Sequence, residues 1–282
     1  MNKLIEEGLE FIGISRIGIK IKFLTQSCFP IYLVQTNNKD IAVKIVDKKD
    51  MAESEAYSLS YLNQKKCTVP LLYGFFSKES KSLLYMEYIT NANNGNKKEQ
   101  LLSTLKALYS NINGKWGFTQ NNYIGQLPQK NKEFEDFETF FLEDRILPQL
   151  KLCLDNKLLT LEFINRIEKF VSSYIQKWNL GKSKPRLIHG DLWNGNVLFA
   201  DKAYLIDPSI SYAHPEQDLA MLELFGSPLT ISDMEKFITS LGYDSNFSER
   251  ILFWQLYPVL VHVNLFGGSY LNQLNRLIQS YH

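Results

Sequence analysis

The stretch from Leu187 to Pro208, LIHGDLWNGNVLFADKAYLIDP, constrains this chain more than any other. Two short apolar runs, LI before His189 and YLI before Asp207, read as strands that flank a polar loop. The loop carries Asp191 and then Asn196, five residues on, and the second run ends at Asp207. A fold that accepts this stretch must hold two carboxylates and an amide oxygen near strand ends, in that order. One carboxylate can take the proton of a hydroxyl, and the amide oxygen and the other carboxylate can hold a divalent cation. His-Gly-Asp alone says little, because Asp and Asn in loops mostly make local turn bonds. The rest of the chain decides.

With 282 residues the chain is long enough for one large domain or two lobes with a sizeable core. A net charge of +1 gives no support to a nucleic-acid or membrane-surface partner. Cys28, Cys67 and Cys153 are dispersed and lack Cys-x-x-Cys spacing. That argues against a disulfide framework or zinc site and suits a reducing, cytoplasmic location. The opening MNKLIEEGLEF shows no long apolar run, so no signal peptide is expected. The most apolar segment, 251–266, is interrupted by Gln, Pro, His and Asn and reads as a buried helix, not a membrane span.

Upstream, IKFLTQSCFPIYLVQT, NNKD and IAVKIV read as strands with a tight turn at Asn37 to Asp40. In IAVKIV, Ala42, Lys44 and Val46 share one face; Ile41, Val43 and Ile45 share the other. A lysine inside an apolar strand is costly unless its amine is paired, although from an edge strand Lys44 could reach solvent. The helix pattern of DMAESEAYSLSYLNQKK (50–66) makes Glu55 the first candidate partner and Glu53 the second. TVPLLYGFFS and SLLYMEYIT are two more strands, and the second runs through Glu87, Tyr88 and Ile89 into the polar stretch NANNGNKK at 91–98. Between the first two strands, LTQSCFPIY (24–32) contains no glycine, and Pro30 lacks an N–H. Ser27 is the candidate there to contact an anionic ligand. Cys28 is either a thiol beside that ligand or an inert residue of a turn.

Farther on, KKEQLLSTLKALYSNI (97–112) has Leu101, Leu105 and Leu108 on one helical face. KWGFTQNNYIGQLPQKN (115–131) is a turn-rich, aromatic loop, either an ordered connection or part of a substrate pocket. FEDFETFFLEDRILPQLKLCL and TLEFINRIEKFVSSYIQKW read as long helices. HPEQDLAMLELFG (214–226) starts a helix with Glu216 and Asp218 near its positive end, and Asp218 is expected to brace the backbone of the His189–Asp191 loop. His262 and Asn264 lie on the apolar C-terminal helices, where a His is usually a satisfied core residue.

Lys44 on a strand, Glu55 on a helix, the run at Glu87–Ile89, then Asp191, Asn196 and Asp207 form an ordered series. It resembles the protein-kinase template, in which H-R-D-x-x-x-x-N is followed by D-F-G. Here HGDLWNGN is followed by IDP: the Asp-to-Asn spacing is kept, and the Arg and Phe-Gly are not. Along nearly its whole length the chain resembles the fructosamine kinase (ketosamine-3-kinase) family. The carrying motifs are ESEAYSL, GF…NNYIGQLPQ, FFLEDRILPQL, HGDLWNGNVLF, LIDPSISY…EQDLAMLELFG and VNLFGGSYL.

That resemblance implies an α+β, two-lobed protein kinase-like fold. Residues 1–90 would form a small nucleotide-binding lobe of antiparallel sheet with one helix. Residues 91–282 would form a larger, mainly helical catalytic lobe, with a linker at about 90–97. It implies ATP and Mg²⁺ as cofactors, and transfer to the 3-hydroxyl of a small-molecule or protein-bound ketosamine. Asp191 would be the base, Asn196 and Asp207 the Mg²⁺ ligands, and Lys44 with Glu55 the phosphate-orienting pair. Ser27, Glu87, Tyr88 and Ile89 would meet the nucleotide. Trp193, Tyr123 and Asn264 would face the acceptor. No membrane partner is implied, and either a monomer or a homodimer fits. Two alternatives stay open: a kinase of aminoglycoside or choline type, and a nucleotide-binding pseudokinase. The family's glycine-containing turn is missing around Ser27, and Tyr109 stands where the family often has a His.

Overall fold

The computed structural model describes residues 1–26, 29–92 and 95–279, and the side chain of Gln26 is not described. Two compact units emerge, Met1–Leu108 with Gly195–Ser209, and Tyr109–Asn194 with Ile210–His282.

The first unit opens with α1 (Asn2–Phe11), followed by β1 (Lys20–Gln26), β2 (Pro30–Gln35) and β3 (Asp40–Val46). Next come α2 (Lys49–Gln64), β4 (Leu72–Lys78), β5 (Lys81–Glu87) and α3 (Lys97–Tyr109). The strands form one antiparallel sheet in the order β1-β2-β3-β5-β4. Pro30 can open β2 because the first position of a strand tolerates a missing donor. β3 lies in the middle, so Lys44 sits opposite Ile31 and Leu84 and cannot escape over an edge. On the other face Ile41, Val43 and Ile45 pack with Val34, Leu83 and Tyr85 against Ile5 and Leu9 of α1. The sheet lobe, expected to carry one helix, thus has α1 as well as α2. The seat of α1 is close: a Cβ at Gly8 would lie 2.0 Å from Tyr85 Oη, and that hydroxyl donates to Ile5 O at 2.9 Å.

The second unit begins with short strands, β6 (Trp116–Gly117), β7 (Asn122–Ile124), β8 (Leu127–Gln129) and β9 (Glu133–Phe134). The long helix expected over FEDFETFFLEDRILPQLKLCL is present without a break from Phe137 to Asp155, but it starts after a short strand and has a π-helical stretch inside it. Glu133–Phe134 is strand, α4 covers Phe137–Phe140, a π-helical stretch covers Phe141–Ile146, and α5 covers Leu147–Asp155. The cause of the π-helical stretch is the burial of Asp144 and Arg145. Asp144 accepts from Lys132 N at 2.8 Å and Arg145 donates to Asn131 Oδ1 at 2.8 Å, and the wider π turn swings both side chains to those partners. α6 (Leu161–Trp178) starts on a Thr160 cap and stops at Asn179 in the left-handed region, before β10 (Arg186–Ile188).

The chain then returns to the first unit as the hairpin β11 (Val197–Phe199) and β12 (Ala203–Leu205). Ala92 N donates to Phe199 O at 2.6 Å, and Phe199 N to Asn91 Oδ1 at 3.0 Å. From α3, Gln100 donates to Ala200 O at 3.1 Å and Thr104 to Ala203 O at 2.8 Å. These bonds make the polar stretch after Ile89 and α3 part of the first unit. The second unit resumes with β13 (Ser211–Ala213), α7 (Glu216–Leu224), α8 (Ile231–Ser240), α9 (Phe247–Phe266) and α10 (Ser269–Gln279). Its sheet runs β10-β13-β6-β9. The apolar segment expected at 251–266 is the body of α9, and no helix among the described residues is long and apolar enough to cross a membrane.

Candidate active site

In the first unit, Lys44 is 4% exposed and Glu55 8%. Lys44 Nζ donates to Glu55 Oε2 at 2.7 Å and lies 3.0 Å from Asp207 Oδ1. Glu53, the second candidate, pairs instead with Lys49 at the surface. Burial works against the Lys44 charge, but Asp207 and Glu55 outweigh it and raise the ammonium above its usual range. Burial pushes Glu55 upward, Lys44 opposes this, and Asp207 adds to the rise. Two carboxylates thus share one cation, and Glu55 Oε1 is buried with no hydrogen-bond partner.

Asp207 comes to Lys44 through the hairpin. Val197 pairs with Leu205, and Ile206 N donates to Asn196 O at 3.0 Å, so Asn196 and Asp207 flank the same end of β11 and β12. Asn196 is buried in a 3₁₀ turn, and Asp207 has φ +55°, a conformation that a non-glycine residue adopts at some cost. Its side chain is about a third exposed. The described residues contain no cluster of three or more His, Cys, Asp or Glu suited to a metal. Asn196 and Asp207 offer only an amide oxygen and a carboxylate. That donor set fits Mg²⁺, which keeps several waters and takes substrate phosphates as further ligands.

Glu87 N donates to Leu71 O at 2.8 Å, its carboxylate accepts from Leu71 N at 3.2 Å, and Tyr88 N donates to Asp40 O at 3.3 Å. These bonds hold the run into Ile89 against β3 and β4. The Phe29 ring stands 5.2 Å from Lys44 Nζ. Ser27 and Cys28 lie outside the described residues.

In the second unit, Asp191 follows His189 and Gly190 out of β10. The loop is gripped by Asp218, in the first turn of α7. His189 N donates to its Oδ2 and Gly190 N to its Oδ1, both at 2.8 Å, and Tyr109 Oη donates to Oδ2 at 3.1 Å. The backbone brace read from the sequence is therefore present, with Tyr109 as its third donor. Gly190 has φ +84°, which the turn needs and which glycine adopts freely. Burial pushes the Asp218 carboxyl up to about 6, against the lowering effect of the three donors. Glu216, read as a dipole-favoured acid, is wholly buried. It accepts from Arg250 Nε at 2.9 Å and from the indole N–H of Trp254.

Of the residues expected on the acceptor side, Trp193 is 40% exposed, with its ring 6.5 Å from Phe225. Phe225 in turn packs, tilted, 4.7 Å from His262, whose Nδ1 donates to Pro258 O at 2.7 Å. Asn264 ties α9 to α5: its amide donates to Gln149 O and Oε1 at 3.0 and 2.8 Å and accepts from Cys153 at 3.2 Å. Tyr123 lies on the β7–β8 hairpin, opposite Pro128. Beside it a buried amide network runs unread by sequence. Asn122 donates to Ile210 O at 2.9 Å, Gln129 to Asn122 at 2.8 Å and Asn131 to Asn122 at 3.0 Å, and Tyr257 donates to Gln129. Burial raises the Tyr257 hydroxyl, and the Asp191 charge raises it further. The signal was available in NNYIG-x-x-PQ, a run of amides too dense for an ordinary loop.

A curated relative from Enterococcus faecium (strain ATCC BAA-472 / TX0016 / DO), named "Probable ketoamine kinase", is 31% identical over 254 residues, 89% of this chain and 90% of its own. The crystal structure of a "Putative fructosamine-3-kinase" from Haemophilus somnus 129PT matches with a TM-score of 0.84 at 25% identity, over 96% of this chain and 94% of that one. Aminoglycoside phosphotransferase APH(4)-Ia, in a ternary complex with ADP and hygromycin B, matches with a TM-score of 0.64 at 11% identity over 99% and 97% of the two chains. That last likeness speaks to the fold, which is α+β and protein kinase-like. The fructosamine kinase family profile matches residues 22–282, and the chain belongs to the fructosamine kinase family.

Proposed function

We propose that this protein transfers the γ-phosphoryl group of ATP to the 3-hydroxyl of a ketosamine. The observation that carries the reading is Lys44, buried in the middle strand and held by both Glu55 and Asp207. Two of its three N–H bonds are engaged, so the ammonium is aimed and a donor remains for a phosphate oxygen. Glu55 keeps the lysine in place. Glu87 to Ile89 present backbone to the adenine edge. Asn196 and Asp207 hold Mg²⁺, which when bound neutralises charge developing on the phosphates. Asp191 takes the proton of the attacking hydroxyl, and Asp218 keeps its loop still. Trp193 faces the sugar. A positioned base of this kind contributes about 10²- to 10⁴-fold, and most of the remaining acceleration comes from alignment and charge neutralisation.

The test is coupled ADP release with Mg·ATP and four acceptors: a ribulosamine, a fructosamine, an aminoglycoside and choline. Asp191→Asn runs alongside. Turnover on a ketosamine, lost in the variant while ATP still binds, supports the reading. Turnover confined to the aminoglycoside or choline overturns the acceptor assignment. Binding of ATP without turnover on any of the four favours a pseudokinase.

A further inference from the structure

The second unit contains a cavity of about 400 Å³ that the proposed chemistry does not use. Its walls come from the end of α6, the start of β10 and the segment joining α8 to α9. Lys182, Lys184, Arg186 and Arg250 line it, against one carboxylate, Asp244. Arg250 is already neutralised, because its guanidinium donates twice to Glu216. The other three cations form no ion pair among the described residues.

Arg186 is the informative one. Its Nη1 donates to Tyr109 O at 2.6 Å, its Nη2 to Leu241 O at 2.9 Å, and its guanidinium lies 5.5 Å from the centre of the Tyr243 ring, so among the described residues the charge is held by neutral groups and meets no carboxylate. Its Nε is buried with no hydrogen-bond partner, and so is Trp178 Nε1 on the same wall. An immobilised guanidinium beside two unpaired ammonium groups in a concave wall is an arrangement that binds anions. The volume exceeds what a bare phosphate needs and falls within the range of small-metabolite pockets.

We propose that this cavity is a binding site for a small phosphate-bearing molecule of sugar-phosphate size. The inference stands apart from the kinase reading, since none of the residues involved belongs to the phosphoryl-transfer set. The site is joined to that set by bonds. Arg186 reaches Tyr109, Tyr109 reaches Asp218, and Asp218 holds the backbone before Asp191.

The experiment titrates the full-length protein, without nucleotide and at constant ionic strength, with glucose 6-phosphate and with inorganic phosphate. Calorimetry and tryptophan fluorescence are read together. The expected result is saturable binding of glucose 6-phosphate. Trp178→Phe removes the fluorescence change, and Lys182→Glu with Lys184→Glu weakens binding by at least about tenfold. Both lysines are exposed, so the double variant should fold, and a melting curve verifies it. Lys44→Met leaves the binding as it was. No saturable heat with either probe up to about 10 mM overturns the proposal. So does binding that Lys44→Met abolishes and the double lysine variant leaves intact, for then the anion sits at Lys44.

Discussion

Asp218 permits a test in which rate and stability move in opposite directions. As a carboxylate it accepts from His189 N, Gly190 N and Tyr109 Oη. A proton on either oxygen weakens a backbone bond, since Oδ1 faces Gly190 N–H and Oδ2 faces His189 N–H with only the Tyr109 hydroxyl able to accept, so the ionised form alone accepts fully from both backbone N–H groups. With its carboxyl at about 6, the ionised fraction is about 0.9 at pH 7 and about 0.1 at pH 5. Turnover should therefore fall roughly tenfold over that interval, on an acid limb centred near pH 6. The stability sign is the reverse. A carboxyl raised from 3.8 to about 6 by folding contributes stability that is fully present below the lower value and is lost as pH rises through the upper one. Acidification thus costs rate through Asp218 without costing fold stability through Asp218. The assay is steady-state ADP release between about pH 5 and 8, with melting curves at each pH, on wild type and Asp218→Asn. Each hydrogen bond to a charged group is worth about 1.5–3 kcal/mol, and the amide cannot titrate. Losing one such bond should lower kcat by about 10- to 100-fold and erase the limb near pH 6. An acid limb of unchanged position in Asp218→Asn would refute the reasoning.

Three further outcomes follow from buried groups. His214, stacked on Trp254 at 4.7 Å, is lowered by burial from 6.5 to about 4. Its share of stability, about 3 kcal/mol, is present above pH 6.5 and lost as pH falls through about 4, so His214→Phe should flatten the decline of Tm across that window. Lys44→Met leaves Glu55 and Asp207 without their shared cation. It should cost about 3 kcal/mol at pH 8 and less as pH falls, because Glu55, already pushed upward by burial, then takes up a proton more readily, as denaturant titration at pH 8 and at acid pH will show. Gly8→Ala drives a methyl group to 2.0 Å from Tyr85 Oη. A loss of about 1–3 kcal/mol is expected, and a double-mutant cycle with Tyr85→Phe should show coupling between the two sites.

What could be read from the sequence was whatever the backbone itself spaces. Alternation in IAVKIV placed Lys44 among apolar residues, helical spacing placed Glu55, and the two runs around HGDLWNGN placed Asp191, Asn196 and Asp207 near strand ends. The cost of a bare buried ammonium made Glu55 the first candidate partner of Lys44, and the central place of β3 removes the alternative of a lysine reaching solvent over an edge. What escaped was set by partners far away in the chain. α1 carries the apolar residues Ile5 and Leu9, yet its role appears only once the Ile41, Val43 and Ile45 face needs a cover. The π turn at Phe141–Ile146 is dictated by where Asn131 and Lys132 stand, and no periodicity within the helix announces it. Glu216 shows the same limit most sharply. As a helix N-terminal acid it satisfies a local rule, so nothing in its neighbourhood demanded another explanation. Its partners Arg250 and Trp254 lie 34 and 38 residues on. Asp218, two residues later, was legible because the loop it serves carries donors that need an acceptor. A residue that answers an unmet need nearby can be found by asking what the need is. One whose need is created only by burial has to be seen in the fold.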